Sequence, residues 1–243
     1  MNSTYLLLEL KSTVRNARFV IFTLVMPTAL FVLWGRIGRG STVGGIDAVA
    51  YLMVSLAAFG GIFATLSTGS RIAVERSIGW NRLLRLTPLR PATYLLAKGA
   101  VAMLVALPAL LAVFGIGRLV MQVQIPASQW LAVVGLSWLA LVPFAVLGIV
   151  IGYLATADSV QPITSGLFFL LGLLGGLWFP IDQLPQAMQR IAEATPSYWL
   201  AALARSPMTH GSSYGRAGLA LVAWTIALSL LAARRFRADA VRT

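Results

Sequence analysis

Residue types that carry out covalent or redox chemistry are scarce in this sequence. It has no cysteine and a single histidine, His210, so disulfides, thiolate chemistry, iron–sulfur clusters and cysteine-based zinc sites are excluded. A hydrolytic pair between His210 and Ser165 would require a polar loop to reach deep into an apolar segment, which argues against a serine protease. No G-x-x-x-x-G-K-[ST] loop is present. We therefore expect no enzyme activity, metal or cofactor on this chain, and any nucleotide energy must come from another chain.

The clearest functional pattern is a basic and apolar segment at residues 71–98. Its 28 residues are more than a turn needs. Apolar and basic side chains are interleaved at Arg82, Leu83, Leu84, Arg85, Leu86 and Arg90. Pro88 disfavours helix at Thr87, so the spacing predicts a short amphipathic helix that ends there. Such a surface fits a groove on a cytoplasmic protein as readily as anionic lipid; the alternative is a basic topology anchor.

The composition indicates the environment that must position this segment. The chain is 58% hydrophobic and 11% charged, whereas a soluble domain carries about 25% charged residues. Its net charge of +12 comes from basic residues clustered between apolar runs rather than spread over a surface, which favours lipid head groups over nucleic acid. The sequence therefore predicts a membrane protein that does not bind nucleic acid.

Six apolar segments are candidates for membrane spans, because a helix needs about 20 residues to cross the hydrocarbon core. They are approximately Phe19 to Trp34, Ala48 to Ser70, Gly99 to Gly117, Trp130 to Leu154, Pro162 to Ile181 and Ala217 to Ala233. We expect an all-α membrane protein with six transmembrane helices in a single domain, residues 1–243.

The distribution of basic residues predicts the orientation. With both termini on one side, that side holds 13 of the 19 Lys and Arg residues and the other side holds six. The positive-inside bias then makes both termini cytoplasmic. The N-terminus lacks a convincing cleavage site, so it is interpreted as an uncleaved signal anchor.

Two segments outside the spans carry helical patterns. Residues 1–18 place apolar and basic side chains on separate stripes, which favours a helix lying in the cytoplasmic interface over a frayed basic tail. Residues 182–216 contain an amphipathic piece bracketed by Pro185 and Pro196. We expect either an outer cap that dips back into the bilayer or two surface helices.

The interior of the predicted spans has no Asp, Glu, Lys, Arg or His. Ion-driven carriers typically hold such residues on their pathway, so the sequence shows no proton relay. The glycines and hydroxyl residues in the spans are interpreted as helix-packing positions.

Two motifs resemble those of a known family. Glu75-Arg76-x-x-Gly79-Trp80-x-Arg82-Leu83-Leu84-x-Leu86-Thr87-Pro88-Leu89 resembles the coupling-helix loop of permease subunits of type-2 ATP-binding-cassette (ABC) exporters. Gly175-Gly176-x-x-Phe179-Pro180-x-x-x-Leu184-Pro185 is similar to that family's segment between the fifth span and the outer re-entrant helices. The two motifs occur in the family's order, and the chain most resembles small bacterial drug or antibiotic exporters.

The resemblance implies a half-transporter in the bacterial cytoplasmic membrane. It implies a separate ATPase subunit that binds ATP and Mg²⁺, a second permease subunit, identical or related, and contact with membrane lipids. The residues implied in ATPase coupling are Glu75, Arg76, Gly79, Trp80, Arg82, Leu83, Leu84, Arg85, Thr87 and Pro88. The residues implied in an outer gate are Gly175, Gly176, Phe179, Pro180, Leu184 and Pro185.

One departure from the family pattern affects the expected partner. Many members have Gly-Thr-Leu-Glu where this chain has Gly79-Trp80-Asn81-Arg82, so an arginine replaces an acidic residue. The partner surface should then offer carboxylates. The alternatives to ATP-driven export are a secondary carrier and an ATP-independent scaffold or immunity protein.

Overall fold

The computed structural model describes residues 17–79, 91–209 and 214–241. The helices are α1 (Ala17–Val20), which continues through a π-helical turn (Ile21–Val25) into α2 (Met26–Ile37), then α3 (Ala48–Leu66), α4 (Thr68–Ser77), α5 (Pro91–Leu119), α6 (Ala127–Leu139), α7 (Val142–Leu154), α8 (Val160–Leu174), α9 (Gln186–Glu193), α10 (Pro196–Arg205) and α11 (Tyr214–Val241). Short 3₁₀ turns span Ile181–Gln183 and Ser206–Met208. A two-stranded antiparallel hairpin, β1 (Thr42–Val43) and β2 (Ile46–Asp47), precedes α3.

Four helical stretches are long and apolar enough to cross a membrane. They are Ala48–Ser77, Tyr94–Leu119, Ala127–Leu154 and Tyr214–Phe236. Two shorter apolar helices, Ile21–Ile37 and Val160–Leu174, coincide with the first and fifth predicted segments. The architecture is that of an all-α membrane protein, as predicted.

Helix α3 forms the centre of the bundle. It is apolar around its whole circumference, and all but one of its residues are buried. Phe59 stacks on Phe168 of α8 with ring centroids 4.0 Å apart, and Phe63 meets the same ring edge-on at 5.0 Å. A helix that is hydrophobic all round belongs in a protein interior, so the other helices surround α3.

The bundle has two ends, which we name after the glycines that terminate helices there. The Gly79 end contains the end of α4, the start of α5 and the ends of α7 and α11. The Gly176 end contains the end of α8, the β-hairpin, the start of α3, and helices α9 and α10. Asp47 caps the start of α3 by accepting a hydrogen bond from the Ala50 amide at 3.0 Å, which is the usual role of an N-cap carboxylate.

Two helix limits differ from the sequence prediction. Helix α8 ends at Leu174, seven residues before the predicted end of the fifth segment at Ile181, because Gly175 and Gly176 form a C-terminal cap. Helix α5 begins at Pro91 rather than near Gly99, so Lys98 lies inside a helix and is only 1% exposed. The apolar boundary therefore does not mark the start of this helix.

Helices α4 and α7 touch backbone to backbone. A Cβ on Gly148 would lie 2.7 Å from the Thr65 carbonyl oxygen, and a Cβ on Gly152 would lie 2.7 Å from the Gly69 carbonyl oxygen. Gly69 in turn meets the Gly148 carbonyl with no room for a side chain. Small residues permit this close approach of helices in membrane proteins, so the junction of α3 and α4 is fixed against α7.

Replacing Gly148 with alanine should loosen this contact. We expect G148A to lower the free energy of unfolding by about 1–3 kcal/mol, because the added methyl group must push two backbones apart. The matched control is G135A in α6, where a Cβ would meet no atom within 4 Å; there alanine should be neutral or stabilise the helix by up to about 1 kcal/mol. Thermal unfolding in detergent measures both, and equal effects of the two substitutions would contradict the packing argument.

Candidate functional site

Glu75 connects the end of α4 to the start of α5. Its Oε1 lies 2.6 Å from Lys98 Nζ, and its Oε2 accepts a hydrogen bond from the Tyr94 hydroxyl at 2.8 Å. The Lys98 side chain is 1% exposed and the Glu75 side chain 23% exposed. A buried ammonium group needs an opposite charge close by, so this ion pair fixes the two helices that flank the basic segment.

Arg76 connects the same helix to the end of α7. Its Nη1 donates hydrogen bonds to the carbonyl oxygens of Gly152 at 3.0 Å and Ala155 at 3.4 Å. The guanidinium carbon also lies 5.5 Å from the Tyr153 ring centroid. The last carbonyls of a helix have no partner within the helix and carry the negative end of its dipole. Arg76 therefore caps α7 with a charge of the favourable sign.

Gly79 ends the described part of the coupling segment. Its φ of +75° is a left-handed conformation that glycine adopts at the ends of helices without steric cost. The other coupling residues predicted from sequence lie outside the described residues: Trp80, Arg82, Leu83, Leu84, Arg85, Thr87 and Pro88. Glu75 and Arg76 contact helices of their own chain, which makes them the base of the segment; their coupling role stays a prediction.

Gly175 and Gly176 cap α8 at the opposite end of the bundle. The Leu177 amide donates to the Gly172 carbonyl and the Gly176 amide to the Leu173 carbonyl, with Gly176 at φ +63°, which is a Schellman cap. This turn leaves the Gly176 carbonyl facing α3, where it accepts a hydrogen bond from the Tyr51 hydroxyl at 3.1 Å. A Cβ on Gly175 would lie 2.6 Å from the Ser197 Cβ, so α10 packs directly on the cap.

Arg205, the last residue of α10, completes this cluster. Its Nη2 donates to the Gly176 carbonyl and to Ser55 Oγ, both at 2.9 Å. The guanidinium carbon lies 3.7 Å from the Tyr51 ring centroid, a close cation–π contact. Ser55 lies seven residues into α3, so at 1.5 Å per residue the charge reaches about 10 Å past the start of that helix.

Burial and nearby charges shift the pKa values of Arg205 and Tyr198. Burial lowers the pKa of the Arg205 guanidinium from its ordinary value, and the nearby Tyr51 opposes that shift. Burial raises the pKa of Tyr198, and the negative charges of Glu193 and Asp182 raise it further. An arginine side chain stays protonated in proteins, so the cluster holds a positive charge.

The remaining predicted gate residues lie around the same turn. Phe179 packs near Trp34 of α2, with ring centroids 6.1 Å apart. Pro180 precedes the 3₁₀ turn and Pro185 precedes α9, and the Leu184 carbonyl accepts a hydrogen bond from Gln189 at 2.8 Å. The predicted gate residues are thus brought together at the Gly176 end, although their gating role is not shown by this proximity.

Comparison with known proteins identifies the family. The family model described as "ABC-2 family transporter protein" matches residues 41–234, which is most of the chain. The chain belongs to the ABC-2 transporter family. It is also 29% identical over 226 residues to "Putative transport permease YvfS" of Bacillus subtilis (strain 168), covering 92% of this chain and 91% of that protein. The chain is therefore a transport permease subunit of the ABC-2 type and a multi-pass membrane protein.

The structure gives two residues of this ABC-2 permease a place that the sequence does not predict. The sequence places Lys98 at the edge of a basic loop, but it lies buried in α5 with Glu75 as partner. Arg205 is predicted only as one of the six basic residues on the outer side, but it lies in the cluster at the cap of α8. A weak signal was available for Arg205, since it follows the apolar stretch Trp199 to Ala204 on the side that should be poor in basic residues.

A double-mutant cycle on Glu75 and Lys98 tests the ion pair. We expect E75Q to cost about 3 kcal/mol of unfolding free energy, because a buried ammonium loses its counter-charge. K98M should cost less, since Glu75 keeps Tyr94 as donor and partial contact with solvent. The double variant should lose less stability than the sum of the single variants, by about 0.5–3 kcal/mol. Additive losses in thermal or chemical unfolding would show that the pair does not connect α4 to α5.

Proposed function

We propose that this ABC-2 permease is the membrane-spanning part of an ATP-driven exporter. It moves an amphipathic or lipid-like compound of the drug or antibiotic class out across the bacterial cytoplasmic membrane. The energy comes from a separate ATPase subunit that docks on the 71–98 segment, and two permease subunits, identical or related, form the transporter. Six spans with both termini in the cytoplasm place the Gly79 end inside and the Gly176 end outside.

The observation that best supports this proposal is that α4 is held to both α5 and α7 at the Gly79 end. The ion pair Glu75–Lys98 fixes the helix before the basic segment to the helix after it, and Arg76 fixes both to α7. The glycine contacts bring the backbones of α4 and α7 together with no space for a side chain between them. A force applied to residues 80–90 would therefore reach three helices together instead of bending a loop.

The mechanism that follows is a rigid-body movement. Closure of the ATPase dimer displaces the basic segment, and α4, α5 and α7 shift as a unit together with the adjoining end of α3. Interfaces between packed helices switch between discrete arrangements rather than deforming continuously. The contacts of Arg205 and Tyr51 with the Gly176 carbonyl would be broken and re-formed as the far end of the bundle opens.

Apolar grooves on the bundle support an apolar cargo. One open groove of about 730 Å³ lies between α2 and α5 and includes Leu24, Thr28, Leu33 and Ile116. A second groove of about 550 Å³ lies between α5, α7 and α11. Pockets that hold drug-sized ligands measure about 300–1,000 Å³, and the walls of both grooves are mostly hydrocarbon. Either groove suits an amphiphile arriving from the lipid phase or a helix of the second subunit.

Exposed apolar residues next to the coupling segment support docking there. Val74 and Ile78 are 47% and 70% exposed, and their spacing of four residues puts them on the same face of α4. In the sequence, the segment that follows is rich in leucine and arginine. A partner with carboxylates around an apolar groove matches it.

Reversing charge on the coupling segment should uncouple the ATPase. We expect R82E, R85E and L83D each to reduce capture of the ATPase subunit by about tenfold or more, because anchors at the centre of an interface carry most of its affinity. The matched control is R190E on the exposed face of α9 at the other end of the bundle, which should leave capture unchanged. Membrane insertion should be normal in all four variants, since these positions lie outside the apolar segments.

The same variants decide whether docking drives export. In liposomes containing permease and ATPase, ATP should drive efflux of a hydrophobic fluorescent cargo with wild type and R190E but not with the three docking variants. If ATPase capture is unchanged in all three docking variants, the segment serves only as a basic anchor that sets the topology. Absence of ATP-dependent efflux despite an active ATPase would rule out export, and efflux without ATP would favour a secondary carrier.

Cysteine labelling tests the orientation. The chain has no cysteine, so S77C and Q186C each introduce a unique thiol at an exposed position, one on α4 and one on α9. We expect an impermeant maleimide to label Q186C in intact cells and to label S77C only after permeabilisation. The reverse pattern would overturn the assignment of the Gly79 end to the cytoplasm.

A further inference from the structure

We propose that the cavity beside Arg205 binds the anionic head group of an amphiphile, a phosphate or a carboxylate, with the Arg205 guanidinium as its principal contact. This inference deepens the export function proposed above, on which its transport role rests, by naming the chemical class that is held at the Gly176 end.

The cavity has the size and position of a head-group site. Its volume is about 250 Å³, and it lies between the β-hairpin, the cap of α8 and helix α10. Tyr51, Gly176, Asp182, Tyr198 and Arg205 are among the residues that line it. Apolar side chains such as Ile46 and Ile181 complete the walls. A cavity lined by both polar and apolar groups suits the boundary between a charged head and its hydrocarbon chain.

The charge of Arg205 lacks a counter-ion within the described part of the chain. Its hydrogen bonds go to a hydroxyl and a carbonyl, both neutral, and Nε is buried without a hydrogen-bond partner. Nη1 makes no hydrogen bond to any described residue, and no described carboxylate lies within ion-pair distance. Burying a guanidinium without an anion is costly. An anion in the cavity would remove that cost, and the planar fork of arginine matches phosphate and carboxylate oxygens.

A purely structural role would explain less of this arrangement. A residue needed only to hold α10 against α3 could make the same contacts to Ser55 and Gly176 as a neutral donor. The charge, the open cavity beside it and the unused donors are all accounted for by an anion. Asp182 lies on the same cavity wall and is exposed, so it should oppose a purely anionic ligand and favour one that also carries an ammonium group.

Substitution of Asp182 therefore provides a test, because its expected result is tighter binding, which a misfolded variant would not show. Purified permease without ATPase is titrated with short-chain phosphatidylglycerol, short-chain phosphatidylethanolamine and inorganic phosphate, and binding is measured by calorimetry. We expect D182N to tighten phosphatidylglycerol binding by about threefold to tenfold, because a nearby negative charge is removed. D158N, in the turn before α8 at the Gly79 end, removes the same charge and should leave binding unchanged.

Removing the guanidinium gives the complementary result. R205Q should weaken phosphatidylglycerol binding by about tenfold or more, with thermal unfolding used to verify that the variant is folded. Phosphatidylglycerol binding that phosphate does not displace identifies a lipid head group as the ligand, and tighter binding of phosphate than of either lipid identifies a soluble anion; both results support the site. Binding that D182N does not tighten, or that D158N tightens equally, would overturn it. Because no ATPase is present, failure here is distinguishable from failure of export.

Discussion

The structure depends on the need to satisfy backbone carbonyls and charges where water is absent. In an apolar medium every exposed helix end is costly, and here two arginines lie where helices end. Arg76 donates to the last carbonyls of α7, and Arg205 donates to the carbonyl at the cap of α8. Both arginines replace water at a helix C-terminus while joining that terminus to another helix. The same contacts therefore satisfy the backbone and hold the bundle together.

Glycine residues make the contacts between these helices stiff. Gly69, Gly148 and Gly152 bring α4 and α7 into backbone contact. Because glycine has no side chain, this contact cannot adjust by a change of rotamer. Well-packed interfaces with few voids transmit displacement and resist compression. The ion pair Glu75–Lys98 adds α5 to this unit. If an ATPase drives the permease as proposed, the 71–98 segment must be connected stiffly to the spans, and small residues provide that stiffness.

The sequence predicted the apolar elements well and the buried charges poorly. Continuous apolar runs coincide with the four long apolar stretches and the two shorter apolar helices of the described residues, and Pro185 and Pro196 bracket α9 as predicted, because hydrophobicity and proline act locally. Lys98 and Arg205 were missed because their burial depends on partners 23 and 150 residues away in the chain, Glu75 and Ser55. The end of α8 at Leu174 was missed for a related reason. Gly175 and Gly176 are interpreted from sequence as packing positions, and Gly175 does pack against Ser197, but the positive φ of Gly176 also ends the helix.

The two ends of the bundle hold their charges by different means, and this difference suits a one-way device. At the Gly79 end a buried cation faces a carboxylate, and removing one partner of such a pair costs about 3–5 kcal/mol. At the Gly176 end a cation makes two hydrogen bonds to neutral oxygens and contacts a tyrosine ring; each hydrogen bond to a charged group contributes about 1.5–3 kcal/mol. The attraction between opposite charges falls off only as the inverse of their distance, whereas a hydrogen bond to a neutral group is lost once donor and acceptor separate, so a displacement that strains both ends would release the Arg205 contacts first. In the proposed exporter, Arg205 would then leave the cap of α8 while α4, α5 and α7 stay together, so the bundle would open at the Gly176 end.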